Sequence, residues 1–134
     1  MDSKELLNFF LELKLSTLSG KVIGLVGDLG AGKTYLVKKL IASQFEELET
    51  EVNSPTYTIC NVYKTKDMEI HHYDLYRIES EDELYDTGVL ESIELGTALV
   101  FIEWVDMHPD LLEACDFIVN IELISETGRV YSIR

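Results

Sequence analysis

The stretch that decides the fold is Gly27-Asp28-Leu29-Gly30-Ala31-Gly32-Lys33-Thr34. It follows the apolar, β-branched run Val22–Val26 and precedes a helical pattern over residues 35–44. The spacing G-x-x-x-x-G-K-[ST] between a strand and a helix is the P-loop, or Walker A, pattern. The alternative is a glycine-rich turn that contains Lys-Thr by coincidence, and both flanks of the stretch disfavour it.

Each part of this stretch has a reason in phosphate chemistry. The glycines let the backbone curl, so that successive N–H groups point inward and form a nest for phosphate oxygens. The N-terminus of the following helix adds its partial positive charge at the same point. Lys33 is placed to reach the β- and γ-phosphates, and the Thr34 hydroxyl to reach Mg²⁺. The sequence therefore predicts a nucleoside triphosphate site.

Length and charge limit what the chain does with a nucleotide. With 134 residues, it is expected to form one compact domain. Twenty-five acidic and 11 basic residues give a net charge of −14. Such a surface repels phosphate backbones, which disfavours unaided tight binding of RNA or DNA and favours a basic protein partner. Acidity that serves solubility alone is the alternative.

The cysteines and the apolar runs indicate a compartment. Cys60 and Cys115 lack the spacing of a metal site, which predicts a reduced, cytosolic protein. No apolar run approaches the ~18 residues that span a bilayer, and the N-terminus lacks the core of a signal peptide. We therefore expect a cytoplasmic protein without membrane contact.

The rest of the chain predicts an α/β fold. Asp2 and Glu5 form a capping box for a first helix, and Ser80 with Glu83 forms another before a short helix that Gly88 interrupts. The expected fold is of the P-loop NTPase type, with three layers and a mainly parallel central sheet that carries antiparallel strands at its edges. The remaining predicted elements are strands over residues 56–63, 69–74, 98–102, 117–124 and 129–133, and a helical turn over residues 109–113.

Two carboxylates follow predicted strands, where a P-loop enzyme needs an acid to organise Mg²⁺. Glu103 ends the most hydrophobic strand, where a charge requires water, metal or a partner. Asp74 stands one short strand away, at the end of the predicted strand over residues 69–74, and could orient or deprotonate a water, or sense the γ-phosphate. A solvent-facing Glu103 and a turn-forming Asp74 are the alternatives.

Other side chains leave two interpretations open. Thr56 is placed for a switch-like loop over the γ-phosphate, or simply begins a strand. Arg77 could contact phosphate, or pair with the acidic residues that follow it. His71 and His72 alternate on a strand, so at most one of them faces the site. Trp104 is by default a core or interface residue.

Four blocks of sequence together resemble one protein family. They are residues 27–34, Ser54-Pro55-Thr56-Tyr57, His72-Tyr73-Asp74-Leu75-Tyr76-Arg77 and Glu103-Trp104. Their order and spacing are similar to those of the TsaE family, formerly YjeE, along nearly the whole chain. This family is the bacterial ATPase component of tRNA threonylcarbamoyladenosine biosynthesis.

The resemblance implies a small Mg²⁺-dependent ATPase that works with TsaB and TsaD and meets tRNA only through that complex. It implies that Lys33 contacts phosphate, that Thr34 and Glu103 hold Mg²⁺ and that Asp74 is needed for hydrolysis. Thr56 would belong to the switch-like loop, and Trp104 would be required for function. The implied nucleotide contacts are Asp28, Leu29, Gly30, Ala31, Gly32, Lys33, Thr34, Tyr35, Gly128 and Arg129, with residues 3–5 of the first helix facing the adenine side.

Two residues depart from the family pattern. Tyr35 replaces a second threonine, which leaves its backbone N–H as the expected α-phosphate contact. Val105 replaces a proline after Glu-Trp, which makes the strand end less rigid.

Two other functions remain as alternatives. A small-molecule or nucleotide kinase commonly needs several arginines, and this chain has three, two of them in its last six residues. A GTPase or a non-hydrolysing switch is the other alternative, and the Asn-Lys-x-Asp guanine motif of GTPases is absent from the sequence.

Overall fold

The computed structural model describes residues 1–54 and 58–134. Their strands form one six-stranded sheet, in the order β2-β3-β4-β1-β5-β6. The strands are β1 (Val22–Val26), β2 (Cys60–Lys64), β3 (Glu69–Asp74), β4 (Leu99–Glu103), β5 (Phe117–Leu123) and β6 (Arg129–Ile133). The helices are α1 (Ser3–Leu13), α2 (Lys33–Gln44), α3 (Glu49–Val52), α4 (Glu81–Asp86), α5 (Val89–Leu95) and α6 (Pro109–Ala114), with 3-10 turns at Leu15–Thr17, Glu46–Leu48 and Val105–Met107.

The sheet has a parallel centre and antiparallel edges. Strands β3, β4, β1 and β5 pair in parallel, whereas β2 and β6 pair antiparallel with β3 and β5. This arrangement confirms the predicted fold class. Because the carboxyl ends of parallel strands lie at one edge of the sheet, β1, β3 and β4 deliver their C-terminal residues to the same place.

Alternate residues of the central strands supply two separate cores. Ile23, Leu25 and Phe101 face α1 and α2, and they pack with Leu6, Phe10, Val37 and Leu40 of those helices. Val22, Val100 and Ile102 face the other side, where they pack with Val89 of α5 and Leu111 of α6. Side chains alternate between the two faces of a strand, so a strand that is apolar throughout must be covered on both. Helices therefore flank the sheet on both faces.

One glycine allows a close approach at the centre of the sheet. A β-carbon on Gly24 would lie 2.7 Å from Cγ1 of Val105 and 2.8 Å from Sγ of Cys115. Only hydrogen fits between β1 and the turn that follows β4. This contact fixes the chain directly after Glu103.

Several sequence predictions are confirmed and others are corrected. Strand β4 covers Leu99–Glu103 rather than residues 98–102, and β5 ends at Leu123 rather than at residue 124. The Asp2–Glu5 capping box forms, and Gly88 separates α4 from α5. Strand β2 begins at Cys60 rather than at residue 56, because the Thr58 hydroxyl bonds locally to the Cys60 carbonyl and the Asn61 side chain.

Helix α2 begins at Lys33 rather than at Tyr35. The predicted second capping box forms only in part. Ser80 caps α4 by accepting from the Glu83 N–H, but the Glu83 carboxylate accepts from Glu79 instead of Ser80.

No helix within the described ranges has the length and apolar character that crossing a membrane requires.

Candidate functional site

The P-loop connects β1 to α2 through two left-handed glycines. Gly30 has φ +82° and Gly32 has φ +101°, a backbone region that side chains disfavour. The Ala31 N–H donates to the Asp28 carbonyl at 3.0 Å, which closes the turn. Gly32 is the N-cap of α2 and offers no side-chain cap. The first amides of a twelve-residue helix are thereby left for an anion.

Lys33 is buried inside this loop, with 4% of its surface exposed. Its ammonium donates to the Gly27 carbonyl at 2.6 Å and to the Asp28 carbonyl at 3.0 Å. The same nitrogen lies 3.9 Å from the centroid of the Trp104 ring. Burial lowers the pKa of Lys33, and the nearby carboxylate of Glu103 opposes that shift. The backbone of the loop therefore fixes the position of the Lys33 ammonium.

Trp104 owes its position to an unusual backbone turn. Its φ of 64° is left-handed, which is rare for a bulky side chain. The turn follows Glu103 at once and carries the indole over Lys33, while Tyr76 packs on the indole with a centroid separation of 4.9 Å. Strained residues of this kind cluster at functional sites. The structure thus supplies a cation–π contact for Trp104, a role that the sequence alone did not reveal.

Thr34 and Glu103 meet at the C-terminal edge of the sheet. The Thr34 hydroxyl lies 2.7 Å from Oε1 and 2.8 Å from Oε2 of Glu103. Glu103 ends a strand of five buried residues and is itself only 2% exposed, although it carries a carboxylate. The same carboxylate accepts a hydrogen bond from Nε2 of His72 at 2.6 Å. Glu103 therefore does not face solvent, which was the alternative interpretation of this residue.

Asp74 ends the strand next to Glu103. The two residues are register partners between β3 and β4. Asp74 is half-buried, and its carboxylate accepts from the Tyr76 N–H at 3.1 Å. Burial raises the pKa of Asp74, and the negative charge of Glu103 raises it further. The site therefore pairs two carboxylates in different surroundings.

Two cavities meet at the start of α2. A cavity of about 270 Å³ is lined by Lys33, Thr34, Asp74, Glu103 and Trp104, together with Leu29, Gly30 and Tyr76. A larger one of about 590 Å³ is lined by Asp2, Ser3, Leu7, Lys39, Gly128, Arg129 and Tyr131. Gly32 and Tyr35 line both cavities, so the two form one continuous surface.

Arg129 ties the larger cavity to the P-loop. Its Nε donates to the Ala31 carbonyl at 2.7 Å. A β-carbon on Gly32 would lie 3.3 Å from the same nitrogen. The first residue of β6 therefore supports the loop from behind, and the neighbouring Gly128 lines the larger cavity.

The oxygens of Thr34 and Glu103 suit a hard cation whose remaining ligands are not protein side chains. Among residues 1–54 and 58–134, no group of three or more His, Cys, Asp or Glu side chains could hold a metal. Mg²⁺ commonly takes one or two protein oxygens, and completes its octahedron with phosphate oxygens and water. Thr34 and Glu103 supply such oxygens beside the loop.

Most of the predicted site residues come together. Lys33, Thr34, Asp74 and Glu103 line one cavity, whereas Thr56 lies outside the described residues. Arg77 is exposed. His72 was not predicted as a site residue, although strand alternation limited the choice to one of two histidines. His71 points to the opposite face and contacts Ser92.

Comparisons with known proteins point to one family. The family model "Threonylcarbamoyl adenosine biosynthesis protein TsaE" matches residues 1–131. The tRNA threonylcarbamoyladenosine biosynthesis protein TsaE of Rickettsia typhi is 35% identical over 131 residues, which cover 98% of this chain and 89% of the relative. The protein of the same name from Haemophilus influenzae is 33% identical over 118 residues, covering 88% and 73%.

A solved structure agrees on the fold. The crystal structure of Bacillus subtilis YdiB aligns with a TM-score of 0.64, covering 99% of this chain and 80% of that one. At 21% identity, this similarity concerns the fold alone. The match of the family model along nearly the whole chain, together with the Rickettsia and Haemophilus relatives, establishes that the chain belongs to the TsaE family.

Proposed function

We propose that this chain is a Mg²⁺-dependent ATPase that serves tRNA threonylcarbamoyladenosine biosynthesis as an accessory protein of TsaB and TsaD. Membership in the TsaE family supports the pathway. One observation carries the ATPase proposal: the Thr34 hydroxyl bonds both oxygens of the buried Glu103 carboxylate beside the P-loop lysine. A structural turn has no need to bury a carboxylate and an ammonium at one loop.

The phosphate chain would lie along the P-loop. The uncapped first turn of α2 offers backbone N–H groups, and Lys33 would donate to the β- and γ-phosphates. The Tyr35 backbone N–H would contact the α-phosphate. The base would then lie in the larger cavity, against Gly128 and Arg129. Asp28, Leu29, Gly30 and Ala31 would contribute through their backbone N–H groups rather than through side chains.

Thr34 and Glu103 would hold Mg²⁺. The ion, when bound, neutralises charge that develops on the phosphate oxygens. The chain's own part is to present a hydroxyl oxygen and a carboxylate in fixed positions. The Thr34–Glu103 hydrogen bond supports such a preset geometry.

Asp74 would orient the attacking water. It lies on the strand next to Glu103, lines the same cavity and has a raised pKa caused by burial. A carboxylate with a raised pKa is a better proton acceptor than an ordinary aspartate. Thr56 would complete this end of the site from the preceding loop, as the family resemblance implies.

The partners follow from the family and the charge. A net charge of −14 disfavours direct tRNA binding, so tRNA would be met only through TsaB and TsaD. Hydrolysis by the chain alone is expected to be slow, since a P-loop site often needs groups from a partner to reach full activity.

A phosphate-release assay with and without purified TsaB and TsaD tests the proposal. We expect slow release by the chain alone and faster release with both partners. Glu103→Gln should reduce release strongly and weaken calorimetric ATP affinity in Mg²⁺ but not in EDTA, and Glu113→Gln, at an exposed position on α6, should change neither release nor affinity. Rapid hydrolysis without partners, or no ATP binding by calorimetry, would contradict the proposal.

A further inference from the structure

We infer that His72 is a positioning residue for Mg²⁺, which acts by holding the Glu103 carboxylate in its metal-binding orientation. The inference rests on the function proposed above and adds a residue for which neither the sequence nor the family comparison supplied a role. His72 lies in the middle of β3, whereas Asp74 and Glu103 end their strands, and Lys33 and Thr34 lie in the first turn of α2.

The contact between the side chains of His72 and Glu103 is short and buried. Nε2 of His72 lies 2.6 Å from Oε2 of Glu103, and both side chains are 3% exposed. A carboxylate only accepts hydrogen bonds, so the proton of this bond is carried by His72 Nε2. Water does not compete for a bond buried to this degree, which makes it a firm constraint on the Glu103 rotamer.

The other ring nitrogen has no competing partner. Within residues 1–54 and 58–134, Nδ1 of His72 is buried without a hydrogen bond. Buried polar atoms are rarely left unpaired, so an unpaired one calls for an explanation. The cost of this unpaired nitrogen is understandable if the position of the ring is determined by its contact with Glu103. His71, the adjacent residue, by contrast contacts partners with both of its nitrogens.

The carboxylate divides its oxygens between its neighbours. Thr34 approaches both oxygens, but His72 contacts Oε2 alone. Each carboxylate oxygen has two acceptor sites, so Oε1 keeps one for the cation or its water. Without His72, rotation of the carboxylate would exchange the two oxygens and weaken this assignment. Partners of this kind orient metal ligands in many proteins.

The sheet register couples this contact to Asp74. His72 and Asp74 lie two residues apart on β3, so they share a face, and Asp74 is the register partner of Glu103. A shift of β3 along β4 would move the proposed water-orienting carboxylate and the support of the metal ligand together. The register of β3 on β4 therefore sets the positions of His72 and of both carboxylates together.

The competing explanation is a buried polar pair that only stabilises the fold. Replacing such a pair with apolar residues is often neutral for stability. The two explanations differ in one quantity, which is the amount by which Mg²⁺ strengthens nucleotide binding. A stabilising pair leaves that amount unchanged, whereas a positioning residue determines it.

The test is calorimetric binding of a non-hydrolysable ATP analogue to the full chain, in Mg²⁺ and in EDTA. We compare His72→Leu, which removes the donor, with His72→Gln, whose amide restores one. His71→Leu, on the opposite face of the same strand, is the matched control. Thermal unfolding of each variant reports whether it folds, and His72→Phe replaces His72→Leu if that variant does not.

We expect the affinity of His72→Leu for the analogue in Mg²⁺ to be lower than that of the wild-type chain by about tenfold or more. Its affinity in EDTA should be unchanged. The Mg²⁺ concentration for half-maximal hydrolysis should rise by a similar factor, and His72→Gln should recover most of the loss. In a Glu103→Gln background, His72→Leu should have no further effect, because it acts through that carboxylate.

Four outcomes would count against the inference. If His72→Leu keeps the wild-type gain from Mg²⁺, or if affinity in EDTA falls equally, His72 has no positioning role. If His71→Leu shows the same loss, the effect belongs to the strand. If the wild-type chain itself gains nothing from Mg²⁺, the proposed function fails, and this inference fails with it.

Discussion

The two ends of the cavity at the start of α2 are built differently. At the smaller end, Lys33 and Glu103 are almost fully buried, and each contacts several fixed partners. At the larger end, Tyr35 is 68% exposed and Lys39 lies only loosely over its ring, at 5.6 Å. The same helix therefore begins with a rigid, charged site on one side and an open, adaptable surface on the other.

This difference separates two requirements of nucleotide chemistry. Charge that develops on phosphate oxygens must be met by groups already in place, because reorganising them would cost energy at the moment of reaction. A base needs only surface and a few contacts, so its site tolerates change. Tyr35 lines both cavities and lies where the two ends meet.

The largest expected effect comes from removing the cation at the rigid end. Lys33→Ala should lower ATP affinity by about 100-fold or more, because two charge-assisted contacts to phosphate are lost. Calorimetry measures this, and Lys66→Ala, an exposed lysine in the β2–β3 turn, is the control. Unchanged affinity in Lys33→Ala would remove the reason for distinguishing the two ends.

A smaller effect is expected where the open end supports the loop. Arg129→Ala removes the bond to the Ala31 carbonyl and should weaken nucleotide binding about tenfold. Arg134→Ala, at an exposed position beyond the same strand, should leave binding unchanged. Equal binding by both variants would mean that β6 does not support the P-loop.

Trp104 tests how much of the rigidity comes from one contact. Trp104→Leu removes the ring face over Lys33 and should lower ATP affinity about fivefold, in keeping with a cation–π contact of about 1 kcal/mol. Trp104→Phe keeps a ring face and should lose less. If the two variants bind equally, the indole serves packing rather than the ammonium.

The smallest effect is on stability and follows from Asp74. Its pKa in the folded chain is raised above the ordinary value of 3.8, so the folded state binds more protons than the unfolded state in the window above 3.8. The charged form therefore costs stability at neutral pH, and that cost disappears as pH falls through the raised pKa.

Asp74→Asn removes this charge and should be more stable than wild type at pH 7, with the difference shrinking toward pH 4. Urea unfolding at the two pH values measures it. A variant less stable than wild type at pH 7 would show that hydrogen bonding outweighs burial at this position.

Much of the fold was readable from local patterns. The apolar run at Val22–Val26 and the strand-favouring residues at Glu69–Asp74 and Arg129–Ile133, next to predicted turns, predicted strands with the observed bounds. The start of β2 was predicted too early. Residues 58 and 59 have suitable propensity, but the Thr58 side chain holds a local hydrogen bond instead.

The sequence predicted a site residue only where a spaced motif or an unusual position singled that residue out. Lys33 and Thr34 belong to a spaced motif, and Glu103 stands out as a charge after an apolar strand. His72 gave no such signal, since alternation tells which residues share a face but not which face meets the site. The left-handed turn at Trp104 was equally hidden, because its sequence contains no glycine.

The Trp104–Lys33 contact has a practical consequence. Trp104 is the sole tryptophan of the chain, so its emission reports one place, 3.9 Å from the ammonium that a phosphate would contact. A change in that emission on mixing with ATP would time the arrival of phosphate beside Lys33 without any attached dye. The chain thus contains its own stopped-flow probe of nucleotide arrival.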